Sequence, residues 1–232
     1  MIRLVLFDID GTLISSGGAG VKAFGQVARV TFGAPDGTAR LKFAGRTDRS
    51  LVREFLVEAG LPDTPENSAR FLDDYLQWLA VYLAECAGRV LPGVLGALDG
   101  LKALPEPPVL GLLTGNIRLG AELKLRRYGL WDAFELGAFA DDGEDRNAIA
   151  AAALRRGREL LGAALNGDEV LVIGDTPHDI TCARSIGARC LAVATGGTSL
   201  AELAAHDPAW AVSSLEAVSV PELCRRPSKK GN

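Results

Sequence analysis

Two aspartates, Asp8 and Asp10, follow the mostly apolar run 2–7 in the stretch Phe7-Asp8-Ile9-Asp10-Gly11-Thr12. In an extended chain, residues two apart project to the same side. Carboxylates that close repel, and each raises the other's pKa unless a cation lies between them. Their hard oxygens suit Mg²⁺, and Gly11 permits a tight turn behind them. A second apolar run, 109–113, ends in Thr114-Gly115-Asn116, where a hydroxyl and free N–H groups make a natural phosphate cradle. Another, 170–173, ends in Gly174-Asp175-Thr176-Pro177-His178-Asp179. Asp175 then completes an oxygen-rich cation site with Asp8 and the carbonyl of Asp10. Each feature also has a plainer reading: a solvated turn at Asp8 and Asp10, a helix cap at Thr114 or Asn116, a turn residue at Asp175, and a cap at Asp179 for a helix starting near Ile180. So many acids at the strand ends of one sheet argue against the plainer reading of all of them.

The acidic loop Asp141-Asp142-Gly143-Glu144-Asp145-Arg146-Asn147 holds one arginine just before a helical pattern. Arg146 reads either as a surface ion-pair partner or as the cation that neutralises a substrate phosphate. Lys124 is a second candidate, ranked lower because it lies about two turns into the helix after run 109–113.

The elements that must position these residues are legible from hydrophobic pattern. Runs 2–7, 109–113, 134–138, 170–173 and 190–194, with a weaker one at 210–212, read as buried parallel strands. Helical patterns alternate with them, which predicts an α/β fold with a doubly wound parallel sheet. The segment between Ser15 and Cys86 has no convincing strand. Its apolar residues recur at helical spacing (Val21, Phe24, Val27; Leu51, Val52, Phe55; Phe71, Tyr75, Trp78, Leu79), with breaks at Gly33-Ala34-Pro35, Gly60-Leu61-Pro62 and Leu91-Pro92-Gly93. This predicts a core made of residues 1–14 and 88–232, with an all-helical insertion, 15–87, seated over the end of the sheet. Residues 148–153 read as helix and 163–167 as its end, and the tail after Pro221 as frayed.

Composition bounds the function. The 232 residues are 48% hydrophobic and 23% charged, with 25 Lys+Arg against 29 Asp+Glu and a net charge of −4. That excludes a disordered chain and disfavours nonspecific nucleic-acid binding, since the only basic cluster is Arg225, Arg226, Lys229 and Lys230. The four cysteines form no C-x-x-C pair, and with two histidines they do not suggest zinc. They read as small apolar residues in a reducing compartment. With no visible signal peptide and no membrane-length apolar run, the expectation is a soluble, cytoplasmic protein without a membrane partner. Monomer and homodimer both stay open.

In this order, Asp8-Ile9-Asp10-Gly11-Thr12, Thr114-Gly115-Asn116 and Gly174-Asp175-Thr176-Pro177-His178-Asp179 resemble the first, second and fourth motifs of the haloacid dehalogenase superfamily. The chain looks most like its phosphoglycolate phosphatase and β-phosphoglucomutase-like branch. The resemblance covers the whole chain, because 15–87 falls where that branch inserts a helical cap on a Rossmann-like core. It implies that Asp8 is the nucleophile, forming an aspartyl-phosphate, and that Asp10 is the acid and base. It implies that Thr114, with the amides of Gly115 and Asn116, holds the phosphoryl oxygens. Asp8, Asp10 and Asp175 would hold Mg²⁺, with Asp179 acting through a water or a neighbour. The implied substrate is a small phosphorylated metabolite. One position departs from the pattern: the family's third motif usually has a lysine where this chain has Asp145-Arg146-Asn147, and Arg146 is the expected substitute, with its permanent charge and fork.

In the cap loop Ala44-Gly45-Arg46-Thr47-Asp48, Arg46 and Thr47 are candidate substrate contacts, unless Thr47 or Asp48 simply caps the next helix. Ser15, Ser16, Gly17, Gly18 and Gly20 suit a hinge or a plain loop. His178 and His206 read as surface residues, and Trp78 and Tyr82 as cap core. The main expectation is a Mg²⁺-dependent phosphatase. A phosphomutase uses the same aspartates. A 2-haloacid dehalogenase has no use for the acid at Asp10, and a non-catalytic binding protein on the same fold is the remaining alternative.

Overall fold

The computed structural model describes residues 1–224; the basic cluster at 225–230 and most of the tail expected to fray lie outside them. A six-stranded parallel sheet runs in the order β5-β4-β1-β6-β7-β8, where β1 is Leu4–Phe7, β4 Val109–Leu113, β5 Leu136–Ala138, β6 Val170–Gly174, β7 Arg189–Val193 and β8 Trp210–Val212. Two short strands, β2 (Ile14–Ser15) and β3 (Arg89–Val90), pair antiparallel as a separate ribbon. Both faces of the main sheet are covered, which is why β1 is apolar throughout rather than alternating. Val5 and Phe7 pack into one core cluster, and Leu4 and Leu6 into the other. The helices α4 (Val94–Lys102), α5 (Arg118–Arg127), α6 (Arg146–Leu161), α7 (Pro177–Ser185), α8 (Leu200–Ala205) and α9 (Val220–Cys224) belong to this layered part of the chain.

Between β2 and β3 come α1 (Ala19–Val30), α2 (Asp48–Glu58) and α3 (Pro65–Glu85). They close around a third cluster centred on Phe24, Phe55, Phe71 and Tyr75, to which the sheet side adds Ile117 and Ala140. Phe24 lies 4.4 Å from Phe71 and 5.9 Å from Tyr75 between ring centroids. Trp78 and Tyr82 are half-buried against this cluster.

Several expected boundaries move. The first run is a strand only from Leu4, because the Ile2 and Arg3 amides donate to the carbonyls of Cys224 and Glu169. The run at 134–138 is a strand only from Leu136. A 3₁₀ turn at Trp131–Ala133 precedes it, and the Phe134 amide closes that turn onto Trp131. Strand β7 lies one residue earlier than expected. Helix α7 starts at Pro177, so Asp179 sits inside its first turn instead of capping a helix from Ile180. Arg146 is the first residue of α6, with Asp145 as its cap. All four cysteines carry free thiols, three of them buried. No helix among the described residues is long and apolar enough to cross a membrane.

The register sets up the site. Phe7 pairs with Leu112 on one side and with Ile173 on the other. Asp8, Thr114 and Asp175 therefore leave neighbouring strands at the same edge. Strand β1 lies where the sheet order reverses, and crevices at such points, outside the carboxyl ends of the strands, bind ligands.

Candidate active site

A cavity of about 430 Å³ lies over these strand ends, bounded by the core on one side and by α1, α2 and α3 on the other. Asp8, Asp10, Arg46, Thr114, Gly115, Asn116, Arg146 and Asp175 all line it. Gly11 turns the chain with φ of 85°, a conformation that L side chains rarely adopt, and a Cβ there would run into the Asp175 carboxylate. The resulting turn lets Thr12 donate to Asp175 Oδ1 at 3.1 Å.

Asp8, Asp175 and Asp179 bring carboxylate oxygens within 4.8 Å of one another, and all three residues are buried. Burial, with Asp179 and Asp10 adding and Arg146 opposing, pushes the Asp8 carboxyl up to about 7. Burial and the charges of Asp179 and Asp8 push Asp175 up to about 8. One cation sits among them: Arg146 Nη1 lies 3.5 Å from Asp8 Oδ1, and Nη2 donates to Asp179 Oδ1. Burial works against that guanidinium, but Asp179 and Asp8 outweigh it and hold its pKa above the ordinary value. Its fully buried Nε has no partner among the described residues. Three carboxyl groups crowd one guanidinium, and this oxygen-only donor set fits a hard divalent cation.

The four expected metal residues are not equivalent. The Asp10 carboxylate is outside the cluster and points to Lys124 and Asn116. Asp179 has both oxygens engaged, Oδ1 by Arg146 and Oδ2 by the Thr176 amide at 3.0 Å and hydroxyl at 2.7 Å. That leaves Asp8 and Asp175 as the carboxylates with room for a cation.

Lys124 and Arg146 are both in the site, at different aspartates. Lys124 Nζ donates at 2.6 Å to Asp10 Oδ2 and at 2.6 Å to Asn116 Oδ1. The residue is 4% exposed, yet Asp10, Tyr75 and Asp48 outweigh its desolvation and hold its pKa above the ordinary value. The Asn116 side chain also donates to Asp10 Oδ2 at 2.9 Å, so two donors fix that carboxylate. The Thr114 hydroxyl accepts from the Asn116 side chain at 2.8 Å and from its amide at 3.3 Å, which leaves its own proton for the cavity. The Asn116 amide is thus turned to Thr114 and not, as expected from the sequence, to a phosphoryl oxygen.

The loop before α2 sits against the core. Gly115 has no Cβ where the backbone of Arg46 and Thr47 passes over it, and its carbonyl accepts from the Asp48 amide at 2.7 Å. Asp48 Oδ2 in turn accepts from the Ile117 amide at 2.8 Å. Thr47 does not line the cavity. Its hydroxyl caps α2 by accepting from the Ser50 amide and ties the loop to the core by donating to the Glu144 carbonyl at 2.9 Å. Arg46 lines the cavity, but its Nη2 lies 2.6 Å from Glu54 Oε2. His178 and His206 are exposed. Asp48 and Tyr75 were missed as cavity residues. Helical spacing marks Tyr75 as core, and nothing local to Asp48 distinguishes it from a helix cap.

Residues 5–193 match the family described as haloacid dehalogenase-like hydrolase. The chain belongs to that family. This haloacid dehalogenase-like hydrolase is 30% identical over 192 residues to a phosphoglycolate phosphatase of Rhodobacter capsulatus, covering 81% of this chain and 82% of the relative. It is 28% identical to a phosphoglycolate phosphatase of Synechococcus elongatus, covering 90% and 92%. Among solved structures, a CbbY variant from Rhodobacter sphaeroides in complex with xylulose 1,5-bisphosphate shares the fold with a TM-score of 0.72 at 18% identity, covering 93% of this chain and 95% of that one. A hydrolase from Pseudomonas syringae does so at 0.69 and 22%, covering 96% of each chain.

Proposed function

We propose that this hydrolase is a Mg²⁺-dependent phosphatase that cleaves a small phosphorylated metabolite through an aspartyl-phosphate on Asp8. The observation that carries it is the convergence, in one cavity, of the buried Asp8 carboxyl beside a guanidinium and a second carboxylate held by Lys124 and Asn116. Halide displacement has no use for that second carboxylate. Asp8 and Asp175, with the carbonyl of Asp10, would hold Mg²⁺, and Asp179 acts through its neighbours Arg146 and Thr176. The bound cation would screen the phosphoryl charge from the Asp8 carboxylate and act as a Lewis acid toward it.

The chain's own residues supply the rest. The Thr114 proton, the Gly115 amide and Arg146 hold the phosphoryl oxygens. Asp8 attacks phosphorus, and the ester oxygen leaves with a proton from Asp10. Asp10, then ionised, takes a proton from water as that water attacks the aspartyl-phosphate, which releases phosphate and restores Asp8. Lys124 and Asn116 aim Asp10 in both steps. The stretch 15–87, seated over the strand ends, is the cap that selects the substrate and excludes water. The test is phosphate release from a panel of phosphorylated metabolites, each with Mg²⁺ and with EDTA. Mg²⁺-dependent release supports the reading. No release from any compound, an activated aryl phosphate included, refutes it.

A further inference from the structure

We propose that the substrate is the phosphate ester of an uncharged alcohol that carries a further free hydroxyl, and that esters carrying a carboxylate are rejected. The inference rests on the phosphatase reading and concerns the part of the cavity that faces the helices. Once the strand ends hold the phosphoryl group, the alcohol occupies the space walled by Val21, Phe24, Phe43 and Leu51, with Asp48 and Tyr75 as its polar groups.

A substrate carboxylate needs a cation that neither the phosphoryl group nor a carboxylate of this chain already occupies. Three cations line the cavity, and among the described residues each is already matched by a carboxylate of this chain. Arg146 lies between Asp8 and Asp179. Lys124 is on Asp10 and Asn116. Arg46, in the loop before α2, has Nη2 on Glu54 and Nε 3.4 Å from the Ser50 hydroxyl. Lys124 also reaches the helical side, beside Gly20 and Tyr75, but Asp10 and Asp48 both act on its single charge, so the surplus there is acidic. Asp48 is 8% exposed and lines the cavity. Its Oδ2 takes the Ile117 amide, and its Oδ1 has no donor among the described residues. Burial raises its carboxyl to about 6, with the Lys124 charge and the Ile117 amide holding it down. Tyr75 as a residue is 2% exposed, and its hydroxyl has no hydrogen-bond partner among the described residues.

An acceptor oxygen and a phenol that line one cavity and act on each other's charge fit a hydroxyl, which donates to Asp48 and accepts from Tyr75. A carboxylate at the same place meets the Asp48 charge in an enclosed, partly apolar space, where like charges are costly. This separates the chain from its relatives named phosphoglycolate phosphatase, whose named substrate is a carboxylate-bearing ester.

Two pairs of esters isolate the feature, since each pair differs only in hydroxymethyl against carboxylate: glycerol 3-phosphate with 3-phosphoglycerate, and 2-hydroxyethyl phosphate with 2-phosphoglycolate. With Mg²⁺ present, kcat/KM is expected to favour the hydroxyl member of each pair by at least about tenfold. Glu54 lies outside the cavity lining, and Glu54→Ala frees Arg46 of that partner. That variant is expected to shift the ratio toward 3-phosphoglycerate by about fivefold or more. Equal or reversed preference in the unmodified protein overturns the proposal, and an unmoved ratio in the variant overturns the role of the Arg46–Glu54 pair. p-Nitrophenyl phosphate separates the two levels of the argument. If it is hydrolysed while carboxylate esters are preferred, or while no member of either pair turns over, this inference fails and the phosphatase reading stands. If it too is inert, both fall.

Discussion

Replacing Lys124 by Met tests whether Asp10 works only when aimed. Methionine keeps the length of the buried stem and removes the charge and its donors. The Asp10 carboxylate then keeps only the Asn116 side chain, and Asn116 Oδ1 loses its donor. The bond to Asn116 is buried, and losing a charge-assisted bond there costs about 1.5–3 kcal/mol. The bond to Asp10 is worth less, about 0.5–1 kcal/mol, because that carboxylate is 40% exposed and solvent screens it. The expected loss of unfolding free energy is therefore about 2–4 kcal/mol, readable by urea denaturation. The kinetic effect depends on the leaving group. An alkoxide needs the Asp10 proton, and general acid catalysis contributes about 10²–10⁴-fold. Mis-aiming Asp10 should forfeit about 10²-fold in kcat on an alkyl ester. p-Nitrophenolate leaves without a proton, so its release should fall by no more than about threefold. The assay is kcat on both esters at saturating Mg²⁺. Equal losses on the two would refute the aiming role and leave Lys124 a general electrostatic or structural group.

Asp8→Asn is expected to abolish turnover while thermal unfolding stays within a few degrees, since the amide fills the same space; appreciable turnover would remove the nucleophile assignment. Arg146→Ala should lower kcat/KM by at least about tenfold, and by a similar factor on alkyl and aryl esters, in contrast to the Lys124 variant; a loss confined to alkyl esters would reverse the roles given to the two cations. Asp48→Asn tests a pH linkage. The Asp48 carboxyl is raised from 3.8 to about 6 in the folded chain, so ionising it opposes folding: its stabilising contribution is full below about pH 4 and is lost as pH rises through 6. The asparagine variant, which still accepts from Ile117, should match the parent near pH 4 and exceed it by up to about 3 kcal/mol at pH 7. A constant difference across that range would show that Asp48 does not titrate this way.

The residues that announced themselves in the sequence did so because their chemistry coincides with a local pattern. Asp8, Thr114 and Asp175 each end a fully apolar run, and in a parallel sheet the end of such a run lies at the ligand edge. The partner of Asp10 had no such signature. Lys124 is 114 positions away and reaches it from α5, the helix that follows β4, the strand beside β1. Asp48 and Tyr75 enter the cavity from helices whose local pattern shows only a cap and a core face. Thr47 fits either reading of its loop, and only the Glu144 contact decides that it spends its hydroxyl on structure. The ribbon of β2 and β3 is two residues on each side, too short for any periodicity to register. The shortened β5 is an edge effect: only β4 holds it, and a 3₁₀ turn claims its first expected residues.

That ribbon has a consequence for how such a chain changes over generations. Ile14 pairs with Val90 and Ser15 with Arg89, so the path leaves the sheet layer and returns to it at adjacent points. Whatever is spliced between those points keeps the same entrance and exit. A longer, shorter or differently wound excursion leaves the spacing of β1 and β4 unchanged, and with it the positions of Asp8 and Thr114. The length of the excursion and the spacing of the strand ends can therefore vary separately, with the two stitched strands as a fixed doorway between them.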